Sequence, residues 1–149
     1  MITYDADGQM DINDMEIFQK NIKENSAEVY LGSRFLEGSR VENMKFIRRV
    51  ILKISKLVTF MFYGARVSDP HVGYRILSMK ALSKINLTAD GMHYANELQE
   101  QIRMNRLSVV EVPVHIRYTE YSTTKAHRQK NSNSLRLAAE MIYKKMFFR

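Results

Sequence analysis

The chain contains no cysteine, which excludes disulfide staples, thiolate metal centres and cysteine nucleophiles together. That absence fits a reducing compartment, and a cytoplasmic location is the expectation. No stretch approaches the roughly 18 uncharged apolar residues that a bilayer-spanning helix needs. Met1 is followed by no basic and then apolar run, so no secretory leader is expected. Repeats and low-complexity tracts are missing too. Prolines number only two, Pro70 and Pro113, so each punctuates the chain where it stands. What remains is 149 residues, 45% hydrophobic and 26% charged, enough for one domain with a real core and too well balanced for disorder.

Charge is unevenly placed. Residues 1–33 carry a net −5, residues 34–116 a net +6, and residues 117–149 another +6. An acidic start suits a metal site, and a basic remainder suits phosphates or an anionic lipid surface. Nucleic acid is the generic competitor for a basic chain, but no recognisable nucleic-acid module is present, and the acidic segment would repel a polyphosphate. No nucleic-acid partner is expected.

Residues 1–5 read as a strand entering Asp5. Ile12, Met15, Ile17, Phe18 and Ile22 give a helical stripe over residues 11–25, with Asp11 or Asn13 as its cap. Residues 27–31 form a second strand ended by Gly32, and strand, helix, strand is the pattern of a βαβ unit. Residues 41–63 are the longest helical pattern. Met44, Ile47, Ile51, Ile54, Val58 and Met61 share one face, Lys45, Arg49, Lys53 and Lys56 another, and Gly64 is the stop. Residues 67–77 look irregular. Short helices are expected over 80–85 and 94–105, and a strand over 109–118, at a sheet edge because of Pro113. Residues 119–133 read as a basic loop and 134–148 as a second amphipathic helix.

The strongest local signal is Asp5-Ala6-Asp7-Gly8-Gln9 at the end of the first strand. Two carboxylates one residue apart can grip one hard divalent cation, with the Gln9 amide as a third ligand, and that cation can neutralise a diphosphate. A calcium loop is a rival, since Asp5, Asp7, Gln9 and Glu16 fall on EF-hand ligand places. Its obligatory glycine place is Met10, however, and only four residues precede Asp5. A solvated turn is the plain alternative. Arg34, after Gly32-Ser33, can reach phosphate oxygens from a strand end. Asp69-Pro70-His71-Val72-Gly73-Tyr74-Arg75 packs an acid, a turn and an aromatic–arginine pair into seven residues. A lone His71 there reads more readily as a hydrogen-bonding loop residue than as a metal ligand. Glu97, at a helix start, is either a general base or a carboxylate favoured by the helix dipole. Arg117 to Lys125 sets two cations among hydroxyl side chains, either a loop closing on phosphates or a solvated one.

Taken in order, Asp-Ala-Asp-Gly-Gln, Gly-Ser-Arg-Phe, Asp-Pro-His-Val-Gly-Tyr-Arg, Tyr-Ala-Asn-Glu-Leu, Val-Glu-Val-Pro-Val-His-Ile-Arg-Tyr and Ser-Thr-Thr-Lys resemble a family 2 glycosyltransferase. The likeness is to the dolichol-phosphate mannosyltransferase-like branch and related bacterial cell-surface polysaccharide transferases, and it spans residues 1 to about 133. It implies an α/β fold: the C-terminal part of a GT-A-type, Rossmann-like domain, with an incomplete sheet flanked by helices. On that reading residues 1–133 are a partial catalytic domain and 134–149 a basic amphipathic helix.

The resemblance implies an inverting transfer from a nucleotide-diphospho-sugar donor to a lipid-phosphate or saccharide acceptor, with Mg²⁺ or Mn²⁺ as cofactor. Asp5 and Asp7 match the metal pair and Gln9 a third ligand. Arg34 matches a diphosphate-side arginine, and Asp69, Gly73 and Arg75 the donor and acceptor-phosphate region. Arg117, Ser122 and Lys125 match the late phosphate loop, although two threonines separate Ser122 from Lys125 where relatives place lysine directly after serine. For a hydroxyl acceptor Glu97 is the base, with Asp69 second; a lipid phosphate needs none. The strand–loop–helix that holds the nucleotide base in such enzymes has no counterpart here. Turnover by this chain alone is therefore not expected, and a separate chain supplying that half is a possible partner. The competing reading is non-catalytic: a basic amphipathic module on an anionic membrane or a partner chain, peripheral at the inner face of the cell membrane.

Overall fold

The computed structural model describes residues 1–5, 7–88 and 93–119. The elements in order are β1 (Ile2–Thr3), α1 (Asp14–Glu24), β2 (Val29–Ser33), β3 (Arg40–Glu42), α2 (Phe46–Tyr63), β4 (Arg75–Leu77), α3 (Met79–Leu82), α4 (His93–Met104), β5 (Val109–Pro113) and β6 (His115–Arg117). Four strands form a mixed sheet in the order β1-β4-β2-β5, and β3 and β6 pair in parallel as a separate ribbon. The fold is α/β, a small mixed sheet flanked by helices.

All five residues of β2 are buried, so the sheet is covered on both sides. Successive side chains point to opposite faces. Val29 and Leu31 join Leu77, Ala81, Leu98, Ile102 and Leu107 on the α3–α4 side. Tyr30 joins Phe18, Val72, Tyr74, Val112 and Val114 on the α1 side, where Phe18 stacks on Tyr74 with ring centroids 4.5 Å apart.

The helix expected over residues 41–63 begins only at Phe46, because residues 40–42 pair with β6 as β3. Three further expectations change. First, β1 and β2 do flank α1, but they are not neighbours: β4 lies between them, antiparallel to both. Its three residues lie in the stretch whose proline and glycine read as irregular. Pairing on both edges, Arg75 with Thr3 and with Leu31, makes it a strand where local pattern could not. Second, β2 runs on through Gly32 and Ser33, because β5 supplies partners as far as Ser33↔Pro113. Third, the single strand over 109–118 is two: β5 is an edge strand, as Pro113 indicated, and the chain then changes sheet into β6.

Helix ends follow local chemistry. Gly64 takes the left-handed conformation (φ 67°) and its N–H donates to Phe60 O at 2.9 Å, closing α2. Ser78 caps α3 by accepting from Ala81 N at 3.0 Å. Asn13 is the N-cap of α1 without a side-chain cap bond; Asp11 Oδ1 instead accepts from Asn13 N at 2.9 Å.

Gly32 has no room for a side chain. A Cβ there would lie 2.9 Å from Val114 Cγ1 and 3.1 Å from both Tyr74 O and Val72 Cγ1. Gly32→Ala is expected to lower stability by about 1–3 kcal/mol through overpacking. Chemical denaturation measures it, and an unchanged midpoint would show that β2 and β4 separate at little cost.

Candidate functional site

Where β1 ends, Asp5 meets the turn that leads into β4. Its carboxylate lies against the Cα of Gly73, so that any Cβ at Gly73 would overlap it. Asp7 is held by its own loop: Oδ1 accepts from Gln9 N at 3.0 Å, and Oδ2 from Gln9 Nε2. Gln9 in turn is fixed from below, because its carbonyl accepts from Arg117 N of β6 at 2.7 Å. Asp5, Asp7 and Gln9 line one cavity of about 350 Å³ with Arg34, Arg48, His71, Gly73, Arg75 and Tyr94. Partial desolvation and then the neighbouring Asp7 charge push the Asp5 carboxyl upward, against the pull of Arg75. A half-buried Asp5 carboxylate beside a second negative charge is a place where a divalent cation lowers the energy. Among the described residues no group of three His, Cys, Asp or Glu side chains could hold a metal by itself. The pair fits an ion that takes one or two carboxylates from the protein and the rest of its shell from phosphate and water.

The cationic wall has three arginines in three different states. Arg34 is spent within the protein: Nε and Nη2 donate to the two Asp69 oxygens at 2.6 and 2.7 Å, and Nη1 to Tyr118 OH at 2.9 Å. The side chains of Arg34 and Asp69 are 7% and 1% exposed. Burial works against the Arg34 charge, but the bonds and charge of Asp69 outweigh it and raise the guanidinium further. Arg75, 2% exposed, lies over the Tyr94 ring at 5.2 Å, and its Nη1 is buried with no hydrogen-bond partner. Arg48 reaches down from α2 over the Tyr118 ring at 4.8 Å, and its Nε is likewise buried without a partner. Leaving such donors unmet costs free energy comparable to their desolvation.

His71 completes the wall. Its Nε2 bonds Ser55 Oγ of α2 at 2.6 Å, while Nδ1 is buried and unpartnered. Burial pushes the imidazole down to about 4; Asp69 opposes this, and Arg34 and Arg75 add to it. It is neutral at pH 7.

The structure thus brings Asp5, Asp7, Gln9, Arg34, Gly73 and Arg75 together around one cavity, with Asp69 behind Arg34. Glu97 sits just past the first turn of α4, where its oxygens accept from Thr88 N and Oγ1 at 2.9 and 2.8 Å, and it is not among the cavity's lining residues. Arg117 pairs with Glu42 at 2.6 Å and lines a neighbouring cavity of about 420 Å³ with Tyr4, Gln9 and His115. Ser122 and Lys125 fall outside the described residues. Sequence reading missed Arg48, and gave His71 no place in a ligand site. The available signal was spacing: Arg48, Ser55 and Thr59 stand seven and four residues apart, one polar line along α2.

No family model matches the chain. It is 30% identical over 127 residues to an uncharacterized protein of Methanocaldococcus jannaschii, covering 84% of this chain and 52% of that one. It is 32% identical over 123 residues to the UDP-N-acetylglucosamine–dolichyl-phosphate N-acetylglucosaminyltransferase of Methanococcus voltae, covering 81% and 49%. A third match, 31% identical over 102 residues, is to the polyprenol monophosphomannose synthase of Mycolicibacterium smegmatis, covering 66% and 38%. The chain spans about half the length of the first two.

The buried histidine generates a pH prediction. Folded His71 stays neutral down to about 4, while the unfolded imidazole takes up its proton near 6.5. Between those values the unfolded state binds more protons, so stability falls as pH falls through that window and is unaffected above it. Denaturation profiles from pH 7 to 4 are expected to slope more steeply for the wild type than for His71→Asn. Parallel profiles would mean that His71 takes up its proton as readily in the fold as in the unfolded chain.

Proposed function

For a chain related in sequence to glycosyltransferases of the family 2 kind, we propose that this cavity holds the diphosphate of a nucleotide-sugar donor, bridged to Asp5 and Asp7 by Mg²⁺ or Mn²⁺. The observation that carries the reading is the buried, unpartnered Nη1 of Arg75 in the same cavity as the paired acids. A bare anion would suit Arg75 but be repelled by the carboxylates, and a bare cation the reverse. A cation-bound phosphate satisfies both. On departure of the nucleoside diphosphate, the ion and Arg75 would stabilise the developing charge, and Gln9 would orient Asp7 while offering its side-chain amide oxygen to the ion. Ser122, Lys125 and Arg117 are assigned to a late phosphate loop on the resemblance alone.

The acceptor we favour is a lipid phosphate. Asp69 is paired through both oxygens with Arg34, and Glu97 through both with Thr88. The cavity is therefore better suited to an acceptor that is already anionic and needs no base, attacking directly with inversion. Two relatives carry names of that kind, a dolichyl-phosphate transferase and a polyprenol monophosphomannose synthase.

Binding is the appropriate test for a chain that matches half or less of the length of those relatives. Calorimetry with inorganic pyrophosphate is expected to show binding that requires Mn²⁺. Asp5→Asn should abolish the metal dependence, and Arg75→Met should weaken binding about tenfold or more, the worth of a hydrogen bond to a charged group. Metal-independent binding, or binding indifferent to both substitutions, would overturn the reading.

A second observation favours a membrane seat. The 18-residue helix α2 buries only Thr59, while Phe46 (79%), Met61 (67%) and Ile47 (64%) stand exposed. The helix carries Arg48, Arg49, Lys53 and Lys56 and no acid. Among the described residues no helix is long and apolar enough to cross a membrane, so α2 would lie along an anionic surface. Vesicles containing phosphatidylglycerol should bind the protein, less so at high salt, and paired Phe46→Ser and Ile47→Ser changes should abolish binding. Asp5→Asn should leave it unchanged. Equal binding to neutral vesicles would remove the charge argument.

A further inference from the structure

Helix α2 grips one ring of the cavity wall. Ser55 Oγ bonds His71 Nε2 at 2.6 Å, and Thr59 Oγ1 lies 3.5 Å from the same nitrogen. Thr59 Oγ1 also has Ser55 O at 2.9 Å and Asn96 Oδ1 at 3.3 Å within reach, both nearer than the ring nitrogen. The imidazole is thereby held on one side, and its other nitrogen, Nδ1, is buried without a partner on a residue that lines the cavity. A neutral imidazole has one N–H and one lone pair. Whichever role Nε2 takes toward Ser55, Nδ1 carries the opposite one. Arg48 and Arg75, each with an unmet buried donor, line the same space as Asp5 and Asp7, which suits it to the anionic part of a cation-bound phosphate. An anion is met by an N–H and not by a lone pair.

We propose that His71 is a ligand-contacting residue: Ser55 donates to Nε2, and Nδ1–H donates to an oxygen of the phosphate group that occupies the cavity. This rests on the reading of the cavity as a phosphate site. Its consequence is that α2 selects the tautomer. The same Ser55 hydroxyl that anchors the ring also fixes which nitrogen carries the proton, so the contact adds a donor without adding a charge.

Two substitutions separate this from a purely structural tie to α2. An asparagine side-chain amide can put its nitrogen where Nδ1 stands, and a glutamine amide where Nε2 stands. With pyrophosphate and Mg²⁺, His71→Asn is expected to bind within about threefold of wild type, and His71→Gln about tenfold or more weaker. Unchanged binding by both, or loss with Asn and retention with Gln, would overturn the proposal. Loss with both is decided on the wild type: long-range ¹H–¹⁵N spectra of the Mg²⁺–pyrophosphate complex should show His71 protonated at Nδ1, and protonation at Nε2 alone would overturn it. If the wild type binds no pyrophosphate, or Arg75→Met binds it as tightly, the phosphate site itself fails and not merely His71's part in it.

Discussion

The contact between the Asp5 carboxylate and the bare Cα of Gly73 sets the geometry of everything around it. It exists because β4 is inserted between β1 and β2, which brings the turn at Gly73 under the end of β1 and places Arg75 opposite Thr3. A side chain at residue 73 would displace either the acid or the strand pairing. With glycine there, an acid from one strand and an arginine from its antiparallel neighbour face one space, some 70 residues apart in sequence. Thr3 reinforces the closure by donating to Gly73 O at 2.7 Å.

Charge balance then decides what the space accepts. Of its three arginines, Arg34 is neutralised by Asp69 through a two-point pair and acts as a rigid strut. Its backbone N–H also donates to Asp69 Oδ2 at 3.2 Å, so the loop after β2 is locked to the turn before β4. Arg48 and Arg75 keep unmet donors, and Asp5 and Asp7 keep their mutual repulsion. Such an arrangement is poor as a pure stability device, since buried groups of this kind usually find partners within the protein. It is economical as a receptor for something carrying both signs. Holding His71 neutral by burial and by nearby arginines fits the same logic, because a third cation would add repulsion without adding a direction.

Much of this was legible in the sequence, and the rest was hidden for identifiable reasons. The acid pair, Arg34 and Arg75 announced themselves by ordered motifs, and Gly64 and Pro113 gave helix end and sheet edge correctly. What local pattern cannot express is pairing across the chain: β4 is three residues long and owes its existence to two neighbours. Asp69 could be seen as an acid in a turn, yet only the fold shows that Arg34 occupies both its oxygens. Arg48 was concealed in a helix with three other cations, where a basic residue reads as solvated by default.

Helix α2 turns that default around. An amphipathic surface helix normally points its apolar stripe at the core. Here the inward line includes Arg48, Ser55 and Thr59, which meet Tyr118, His71 and Asn96, while Phe46, Ile47 and Met61 face outward. Turning hydroxyls and a guanidinium inward while exposing phenylalanine costs stability unless both surfaces have something to meet. The inner one meets the cavity. An apolar outer face flanked by Arg49, Lys53 and Lys56 matches a surface that is oily within and anionic at its boundary, which is also where a lipid-borne phosphate would be presented. One helix would then register both at once, its outer side setting the height of the domain above the bilayer and its inner side holding the ring beside the phosphate. Neither face explains the other's composition, and their joint presence on 18 residues is what makes the two readings support each other.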